Sequence, residues 1–406
     1  MYPSSAISVN GCVIVNGGGI KELIERREEY GISKKKLAEE AHLSPSYLRR
    51  LESGKIGLSE KMEKQINDAL DRLSPDEKLS LVIDYVRIRF KTTDYHYIIR
   101  NILRIDETWM FPEKNSWYGY EGRYSLGNVF VLTSLDPEKG TLFELKGQGC
   151  REFEGFLEAQ GRDWYDFFNL AIQEGCIFKR LDLAINDIFG ILDIRELTQK
   201  CKDDECISKF RSWKSYRSGE LTRRDEKEGM GYTLYIGSLK SDIYFCLYEK
   251  DYEQYIKKGI EIEEVPVKNR FEIRLMNDRA EHAVIDLLTF RDGDDTAFSI
   301  INRYLRFADK DPDKDRESWK TNERWEWFIG DHRNKLKLTS QPEPYSPLRT
   351  LRWLAHQVAP SWKAFQKVDQ NRGTDIMGEM IEDTQLTERL EKLVEQLSAT
   401  IDDMIV

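Results

Sequence analysis

The spacing of apolar residues changes near residue 75, and this change constrains the fold more than any other feature. Between Ile20 and Leu73 apolar residues recur at helical spacing in four short stretches. From Leu81 onward they alternate with polar residues or form short apolar runs, as β-strands do. The segment LSPDEK (73–78) between the two patterns contains a proline and several charges, which is typical of a linker. The sequence therefore predicts a small all-α domain followed by a separate α+β domain.

The same patterns predict four regions. They are an N-terminal extension (1–19), a helical domain (20–73), an α+β domain on a largely antiparallel sheet (80–340) and a C-terminal helical region (341–406). Strands are predicted at Leu81–Phe90, Asn128–Leu132, Thr141–Lys146, Ile177–Ile185, Thr233–Ile236, Ile243–Tyr248 and Asn269–Met276, with helices at Phe153–Gln160 and Asp163–Glu174.

The end of the chain carries a regular apolar seam. Its spacing predicts a helix of about six turns, which either packs on its own domain or joins a second copy in a homodimer. The seam residues are Leu386, Leu390, Leu393, Leu397, Ile401 and Met404.

Composition limits the class of protein. The chain has no apolar run near the ~18 residues that a membrane span needs and no secretory signal pattern, so a cytoplasmic location is expected. Its 6 cysteines and 5 histidines form no ligand pattern, so any metal site would rest on carboxylates and favour Mg²⁺ or Mn²⁺. The net charge is −10, but residues 381–406 hold seven acids against two bases, so the overall sign does not exclude DNA.

The helical domain has the pattern of a helix-turn-helix. Ser44 is a predicted N-cap, Pro45 suits the first position of the following helix, and Gly54 ends that helix. The segment KKKLAEEAHLSPSYLRRLESGK (34–55) resembles the repressor-like family of bacterial regulators, which implies DNA contact by the second helix. The alternative is a helical bundle for protein contact, because residues 1–75 are nearly neutral. The candidate DNA contacts are Ser44, Ser46, Tyr47, Arg49, Arg50 and Lys55.

Several predicted strands contain acidic residues among apolar ones. Alternation places Asp182 in the middle of one strand, while Glu272 and Asp84 occupy similar positions in two others. Carboxylates on neighbouring strands can converge on a divalent cation. The alternative is that each forms an ion pair with a nearby arginine, such as Arg180, Arg270 or Arg274.

A tyrosine-containing segment, YEKDYEQ (248–254), follows a predicted strand and enters a charged helix. A tyrosine hydroxyl at this junction, with Lys250 nearby, could attack a phosphate, although an ordinary sheet aromatic is the alternative. Upstream, residues 209–224 interleave cations with rings in a manner that suits single-stranded DNA, a solvated face being the alternative. The cations and rings singled out there are Arg211, Trp213, Lys214 and Arg217, with Arg223 and Arg224 beyond them.

Five motifs in order resemble the trans-acting rolling-circle initiator family, and most closely the MOBT relaxases of integrative conjugative elements in Gram-positive bacteria. Those relaxases also place a helix-turn-helix before the catalytic domain. The motifs are KGQGCREFE (146–154), RLDLAIND (180–187), TLYIGSLKSD (233–242), YEKDYEQ (248–254) and RFEIRL (270–275).

The resemblance implies a nucleophilic tyrosine that cuts one DNA strand at an origin of transfer, leaving a 5′-phosphotyrosine and a free 3′-OH. Carried onto this chain, the nucleophile is Tyr252, with Tyr248 as second choice. Asp182 and Glu272 match the acidic metal positions, and Asp84 and Asp187 are further candidates.

The implied function is DNA nicking and rejoining at the start of conjugative transfer, on duplex and single-stranded DNA. A coupling ATPase and other relaxosome proteins are the expected partners. The alternatives are a plasmid replication initiator with the same chemistry and a catalytically inactive helix-turn-helix regulator. No Walker A motif is present, which agrees with rejoining that needs no nucleotide, and no His-hydrophobe-His triplet marks the histidine-metal relaxases. The chain departs from the family at Leu239, where arginine is usual.

Overall fold

The computed structural model of the protein describes residues 8–9, 12–13, 18–29, 32–41, 43–73, 79–217, 231–330, 335–343, 345 and 354–406. The predicted linker at 74–78 and the predicted contacts Arg223 and Arg224 lie outside these residues. No helix in the described ranges combines the length and apolar character needed to cross a membrane.

Four helices with their own apolar core follow a short strand pair, β1 (Ser8–Val9) and β2 (Cys12–Val13). They are α1 (Gly18–Glu29), α2 (Lys34–Glu40), α3 (Pro45–Glu52) and α4 (Glu60–Leu73). The predicted cap is present, because the Ser44 hydroxyl accepts a hydrogen bond from the Tyr47 N–H at 3.2 Å. Leu48 and Leu51 of α3 are buried against α1 and α2, so the apolar spacing of the sequence decides which face of α3 is left for a ligand.

Ten strands of the described chain form one sheet in which all neighbours are antiparallel, so the predicted fold class is confirmed. Its order is β10-β11-β12-β13-β8-β3-β7-β6-β5-β4. The strands are β3 (Leu79–Phe90), β4 (Phe111–Glu113), β5 (Gly122–Leu126), β6 (Val129–Thr133), β7 (Thr141–Lys146), β8 (Ile177–Asp187), β10 (Trp213–Arg217), β11 (Tyr232–Ile236), β12 (Ile243–Glu249) and β13 (Asn269–Met276). A smaller sheet joins β9 (Cys206–Ser208), β14 (Leu305–Asp309) and β15 (Lys320–Thr321).

The two faces of the large sheet differ in character. Leu181, Leu183 and Ile185 of β8 are buried in the main core, as are Phe245 and Leu247 of β12. The intervening side chains of these strands point to the opposite face because successive side chains alternate. The principal helices are α6 (Gln148–Ala159), α7 (Trp164–Gln173), α8 (Ile194–Lys202), α9 (Lys250–Lys258), α10 (Asp278–Phe290), α11 (Gly293–Tyr304) and α12 (Glu323–Ile329). A short helix α5 (Tyr95–Tyr97) continues into a π-helical turn, Ile98–Leu103.

The prediction of one C-terminal helix of about six turns is wrong. After a π-helical turn (Leu354–Val358), the region contains α13 (Ala359–Arg372), α14 (Ile376–Glu382), α15 (Glu388–Ser398) and α16 (Ile401–Met404). Thr387 and Thr400 act as N-caps and so begin new helices within the seam. Met404 is buried against the main core, whereas Leu390 and Leu397 remain exposed, and their pairing with a second copy stays a prediction.

The buried carboxyl group of Glu152 in α6 should make the stability of the fold depend measurably on pH. Burial, with a smaller contribution from Glu343, raises the pKa of Glu152 to about 7, although its hydrogen bonds from Asn128 act in the opposite direction. A carboxyl whose pKa is higher in the folded state stabilises the fold at low pH, and that contribution is lost as the pH rises to about 7.

We therefore expect the unfolding free energy of wild type to fall relative to Glu152→Gln between pH 4.5 and 7. The relative change should reach at most about 3 kcal/mol, at about 1.36 kcal/mol per pH unit. Denaturant unfolding of both proteins across this range tests the expectation. Parallel pH profiles would contradict it.

Candidate active site

Four neighbouring strands in the middle of the large sheet carry polar side chains on its non-core face. Asp182 of β8 lies directly opposite Arg274 of β13, and Tyr85 of β3 lies opposite Asp182 on the other side. Glu272 is two residues from Arg274 on β13 and shares its face. The strand register thus brings together acidic residues that are far apart in the sequence.

The tyrosine segment reaches the same face from β12. Tyr248 lies near the end of β12, on the face opposite the core residues Phe245 and Leu247. Helix α9 begins directly after the strand at Lys250, and Tyr252 lies in its first turn. Gly231, with φ +94°, allows the backbone to approach Tyr252 so closely that an added Cβ would lie 2.9 Å from the Tyr252 Cβ. The strand-to-helix junction therefore holds Tyr252 at the edge of the polar face.

These residues line one groove of about 790 Å³, which we call the catalytic groove. It contains Asp84, Asp182, Glu272, Lys250 and Tyr252, so five of the predicted catalytic and metal residues meet in one place. Tyr248, the second choice for the nucleophile, lines it as well.

Each of the three candidate metal-binding carboxylates in the groove is paired with an arginine. Arg180 donates to Asp182 through Nε at 2.9 Å and Nη2 at 2.6 Å. Arg274 donates to Glu272 at 2.8 and 2.6 Å, and its Nε lies 3.8 Å from Asp182. Asp84 accepts from Arg270 Nη1 at 2.6 Å. The ion pairs considered from the sequence are therefore all formed, and they lie within the groove.

Burial controls the electrostatics of the groove. It raises the pKa of Asp182 to about 6, Glu272 adds to the increase, and Arg180 and Arg274 oppose it. Burial also lowers the pKa of Lys250, with Arg270 acting in the same direction and Glu253 against it. Asp182 and Lys250 are thus held where their charged forms depend on their immediate partners.

The two tyrosines differ in their surroundings. The Tyr248 hydroxyl donates to Glu272 at 2.7 Å, and Lys250 Nζ lies 3.4 Å from it. Burial and the Glu272 charge raise the pKa of Tyr248 well above its usual value, which disfavours the phenolate that would attack a phosphate. Tyr252 is partly exposed at the groove edge.

Asp187 does not join these residues, so its assignment as a further metal ligand needs correction. It is fully buried and accepts hydrogen bonds from the N–H groups of Gly190, Ile191 and Leu192 and from the Asn269 side chain. Five positions separate it from Asp182, an odd number, so alternation turns the two to opposite faces of β8. Its contacts hold the loop after β8.

Other groove residues were not singled out from the sequence. Arg151 lines the groove, and its Nη1 is buried with no hydrogen-bond partner among the described residues. Its position in the KGQGCREFE motif was the feature of the sequence that could have identified it.

The groove is close to electrically balanced, because seven of its described lining residues are basic and six are acidic.

The described residues contain no group of three or more histidine, cysteine or carboxylate side chains arranged to hold a metal ion. Mg²⁺, however, commonly binds through one or two protein carboxylates together with substrate phosphates and water. Asp182 and Glu272 fit that smaller requirement, because both contact the guanidinium of Arg274 and both offer oxygen ligands.

The predicted DNA contacts of the helical domain occupy the start and outer face of α3. Ser44, Ser46, Arg49 and Arg50 are exposed, as is Lys55 beyond the helix end. Tyr47 is different, because its ring packs partly against the domain core. Glu52 of α3 forms a buried ion pair with Arg27 of α1, in which Oε1 of Glu52 lies 2.8 Å from Nε of Arg27. This pair fixes α3 on α1.

The predicted single-strand segment forms β10 at the edge of the large sheet. Lys214 pairs with Tyr235, which lines the catalytic groove, so Lys214 belongs to the same face. Trp213 packs against the core on the opposite face, so its predicted role in base stacking does not fit. Arg211 and Arg217 are exposed, and the Arg217 guanidinium lies 5.5 Å from the ring of Tyr232.

A helix-turn-helix domain, followed by an antiparallel sheet with tyrosines and carboxylates in one groove, defines the rolling-circle initiator class of DNA-processing proteins. Residues 176–381 match the family described as "Replication initiation factor". Residues 80–170 match the "Rolling Circle replication initiation protein N-terminal domain", and residues 23–78 match "Helix-turn-helix".

The chain belongs to this replication initiation factor family. It is 40% identical over 344 residues to a Bacillus subtilis (strain 168) protein named "Putative DNA relaxase NicK", covering 84% of this chain and 95% of that protein. The solved rolling-circle replication initiator protein of Geobacillus stearothermophilus is 26% identical with a TM-score of 0.56, covering 65% of this chain and 99% of that one.

Proposed function

We propose that this protein is a DNA relaxase that nicks and rejoins one strand at an origin of transfer through a covalent bond between Tyr252 and a 5′-phosphate. The observation that carries the proposal is the position of Tyr252, at the edge of a groove that also contains Asp182 and Glu272. The similarity to NicK over 95% of its length supports a relaxase in particular.

The chemistry needs a positioned nucleophile and charge stabilisation. The Tyr252 oxygen attacks the phosphorus, the bond to the 3′ oxygen breaks, and the released 3′ oxygen gains a proton as the tyrosine loses one. Lys250, and Arg151 with its unpaired buried Nη1, stabilise the additional negative charge of the transition state. Because the phosphotyrosine keeps the energy of the phosphodiester, attack by a 3′-OH reverses the reaction.

A divalent cation is part of the proposal. Asp182 and Glu272 would hold it, with Asp84 nearby in the groove, and it would supply a Lewis acid for the phosphate oxygens. The near balance of charge among the lining residues supports this, because arginines that pair with carboxylates leave little positive charge for DNA.

The direct test uses a supercoiled plasmid that carries the origin region of the mobile element. We expect open circles in which the 3′ end can be extended by a polymerase and the 5′ end is blocked to exonuclease by attached protein. A free 5′ end with a blocked 3′ end would contradict the proposed polarity. Binding without any nicking would favour the inactive regulator.

The plasmid replication initiator remains a second candidate, favoured by the likeness to the Geobacillus stearothermophilus initiator. Both functions require the same nick, so chemistry alone does not separate them. A relaxase should mobilise an origin-bearing plasmid into a recipient cell. An initiator should instead support replication of that plasmid when supplied in trans.

A further inference from the structure

A second groove lies on the same face of the large sheet, at the opposite end from Tyr252. We call it the distal groove. It has a volume of about 440 Å³ and is bounded by Arg87 and Arg89 of β3, by Tyr118, and by the 239–242 turn before β12. Arg87 and Arg89 follow Tyr85 at alternate positions of β3, so all three side chains share one face. Since Tyr85 lines the catalytic groove, the two grooves adjoin along β3.

The distal groove is positively charged. Arg87, Arg89, Lys179 and Lys240 line it, against a single acid of the described residues, Asp242. Asp242 also accepts a hydrogen bond from the Asn277 side chain at 2.9 Å. Arg87 is partly offset by the buried Glu144, whose Oε1 lies 3.9 Å from its Nη1. Unlike the catalytic groove, this one still has an excess of cations over acids among its described lining residues, which favours an anionic ligand.

Two of these cations have unsatisfied hydrogen-bonding atoms. The Nε atoms of Arg87 and Arg89 are buried, and neither has a hydrogen-bond partner in the part of the chain that the structure describes. Buried polar atoms without partners are rare in folded proteins because leaving one unpaired is costly. Both arginine side chains are nevertheless partly exposed in the groove, so their accessible N–H groups can donate to a phosphate oxygen there.

Tyr118 offers an aromatic surface beside these arginines. Its side chain is 51% exposed, and the Arg87 guanidinium lies 4.9 Å from its ring centre. The backbone at Tyr118 has φ +58°, a left-handed conformation that is uncommon for a tyrosine and is kept only when surrounding contacts enforce it. A ring held in this way, with half its surface open, is suited to stacking on an unpaired base.

The contacts that enforce this geometry converge on Glu144. This carboxylate is fully buried and accepts hydrogen bonds from the Tyr118 hydroxyl at 3.0 Å, the Trp117 indole at 2.8 Å and the Tyr85 hydroxyl. Lys146 Nζ lies 3.0 Å from it. Because Tyr85 and Lys146 also line the catalytic groove, Glu144 fixes the two grooves relative to each other.

We propose that the distal groove binds the single-stranded DNA that flanks the scissile phosphate, with Arg87 and Arg89 on phosphates and Tyr118 stacked on a base. This inference rests on the proposed nicking function for its biological setting. From Tyr85 to Arg89 the strand advances roughly 13 Å at 3.3 Å per residue. About four nucleotides stacked at 3.4 Å would cover that distance. Unwound DNA held here would enter the catalytic groove in a fixed register.

The test measures equilibrium binding of a fluorescent dT20 oligonucleotide and of a 20-base-pair duplex to the full chain at several salt concentrations. Arg87→Gln/Arg89→Gln should weaken dT20 binding at least tenfold. It should also lower the slope of log affinity against log salt by about 1.4, at about 0.7 per phosphate contact. Tyr118→Ala should weaken dT20 binding roughly tenfold.

Leu239→Arg is the complementary variant, because Leu239 is 44% exposed at the groove rim and the change should not disturb the core. It should strengthen dT20 binding and raise the salt slope by about 0.7. This gain keeps the test decisive if the arginine variant unfolds. Lys363→Gln/Lys367→Gln on α13 removes the same charge from an exposed helix and should leave dT20 binding within twofold.

Unchanged dT20 affinity and salt slope in both the arginine and Leu239 variants would overturn the proposal. Equal losses on dT20 and duplex would overturn the assignment to single strands. Because dT20 binding involves no cleavage, failure of the protein to nick origin DNA would remove the proposed function and leave this result standing.

Discussion

A Tyr252→Phe protein is expected to bind origin DNA as wild type does and to nick it at least about a thousandfold more slowly. The substitution removes one oxygen, and with it the atom that would form the bond to phosphorus. Tyr252 is partly exposed, so the loss of a hydroxyl should leave the fold intact. The measurements are the nicking rate on a supercoiled origin plasmid and the amount of protein–DNA adduct on a denaturing gel.

Tyr248→Phe is the matched control in the same groove. Its hydroxyl donates to Glu272, so the variant should lose an orienting contact and keep a measurable nicking rate with a normal covalent adduct. If Tyr248→Phe abolished the adduct while Tyr252→Phe retained it, the nucleophile would be Tyr248. Equal adduct formation by both variants would exclude both tyrosines.

Strand alternation explains why much of the site could be predicted from the sequence. Asp182 and Glu272 each occupy alternate positions between apolar neighbours, and the antiparallel register of β8 with β13 brings them close. The same rule also separates Asp187 from Asp182, since they are an odd number of residues apart. That information was in the sequence, and the family motif suggested otherwise.

The remaining features depend on contacts between distant parts of the chain. Trp117 and Tyr118 belong to a loop between β4 and β5, two strands that the apolar pattern did not predict. β4 has only three residues, and β5 (GRYSL) contains few apolar ones. Their partner Glu144 looks like any acid in a strand until the loop is placed above it. Similarly, local spacing alone could not show that Thr387 and Thr400 would divide the C-terminal seam.

The helix-turn-helix was predictable because its determinants are local. Ser44, Pro45 and Gly54 set the start and the end of α3 within ten residues, and the structure has that helix at Pro45–Glu52. The buried pair of Glu52 with Arg27 joins residues 25 positions apart and was not foreseen. Local residues were therefore enough to predict the helix α3, whereas its orientation on α1 depends on the long-range ion pair between Glu52 and Arg27.

Asp182→Asn and Glu272→Gln are each expected to lower the nicking rate roughly a hundredfold or more, because each removes a carboxylate that we propose to hold the divalent cation. The arginines would remain, so positive charge alone should not restore the rate. Mn²⁺ binding to each variant in the absence of DNA can be measured by electron paramagnetic resonance. Loss of this binding would indicate that the carboxylate is a metal ligand, rather than a residue that affects catalysis in another way. Wild type should stop nicking in excess EDTA and recover when Mg²⁺ or Mn²⁺ is added.

Asp187→Asn provides the control for these carboxylates, since it is equally buried but lies on the other face of β8. It should lower the unfolding free energy by roughly 1–3 kcal/mol, because three backbone N–H groups lose a charged acceptor. Mn²⁺ affinity should stay near that of wild type in the folded fraction. Nicking that persists in excess EDTA would contradict the metal proposal. Mn²⁺ binding that survived Asp182→Asn and Glu272→Gln together would show that neither carboxylate is needed to hold the ion, and would contradict their assignment as its ligands.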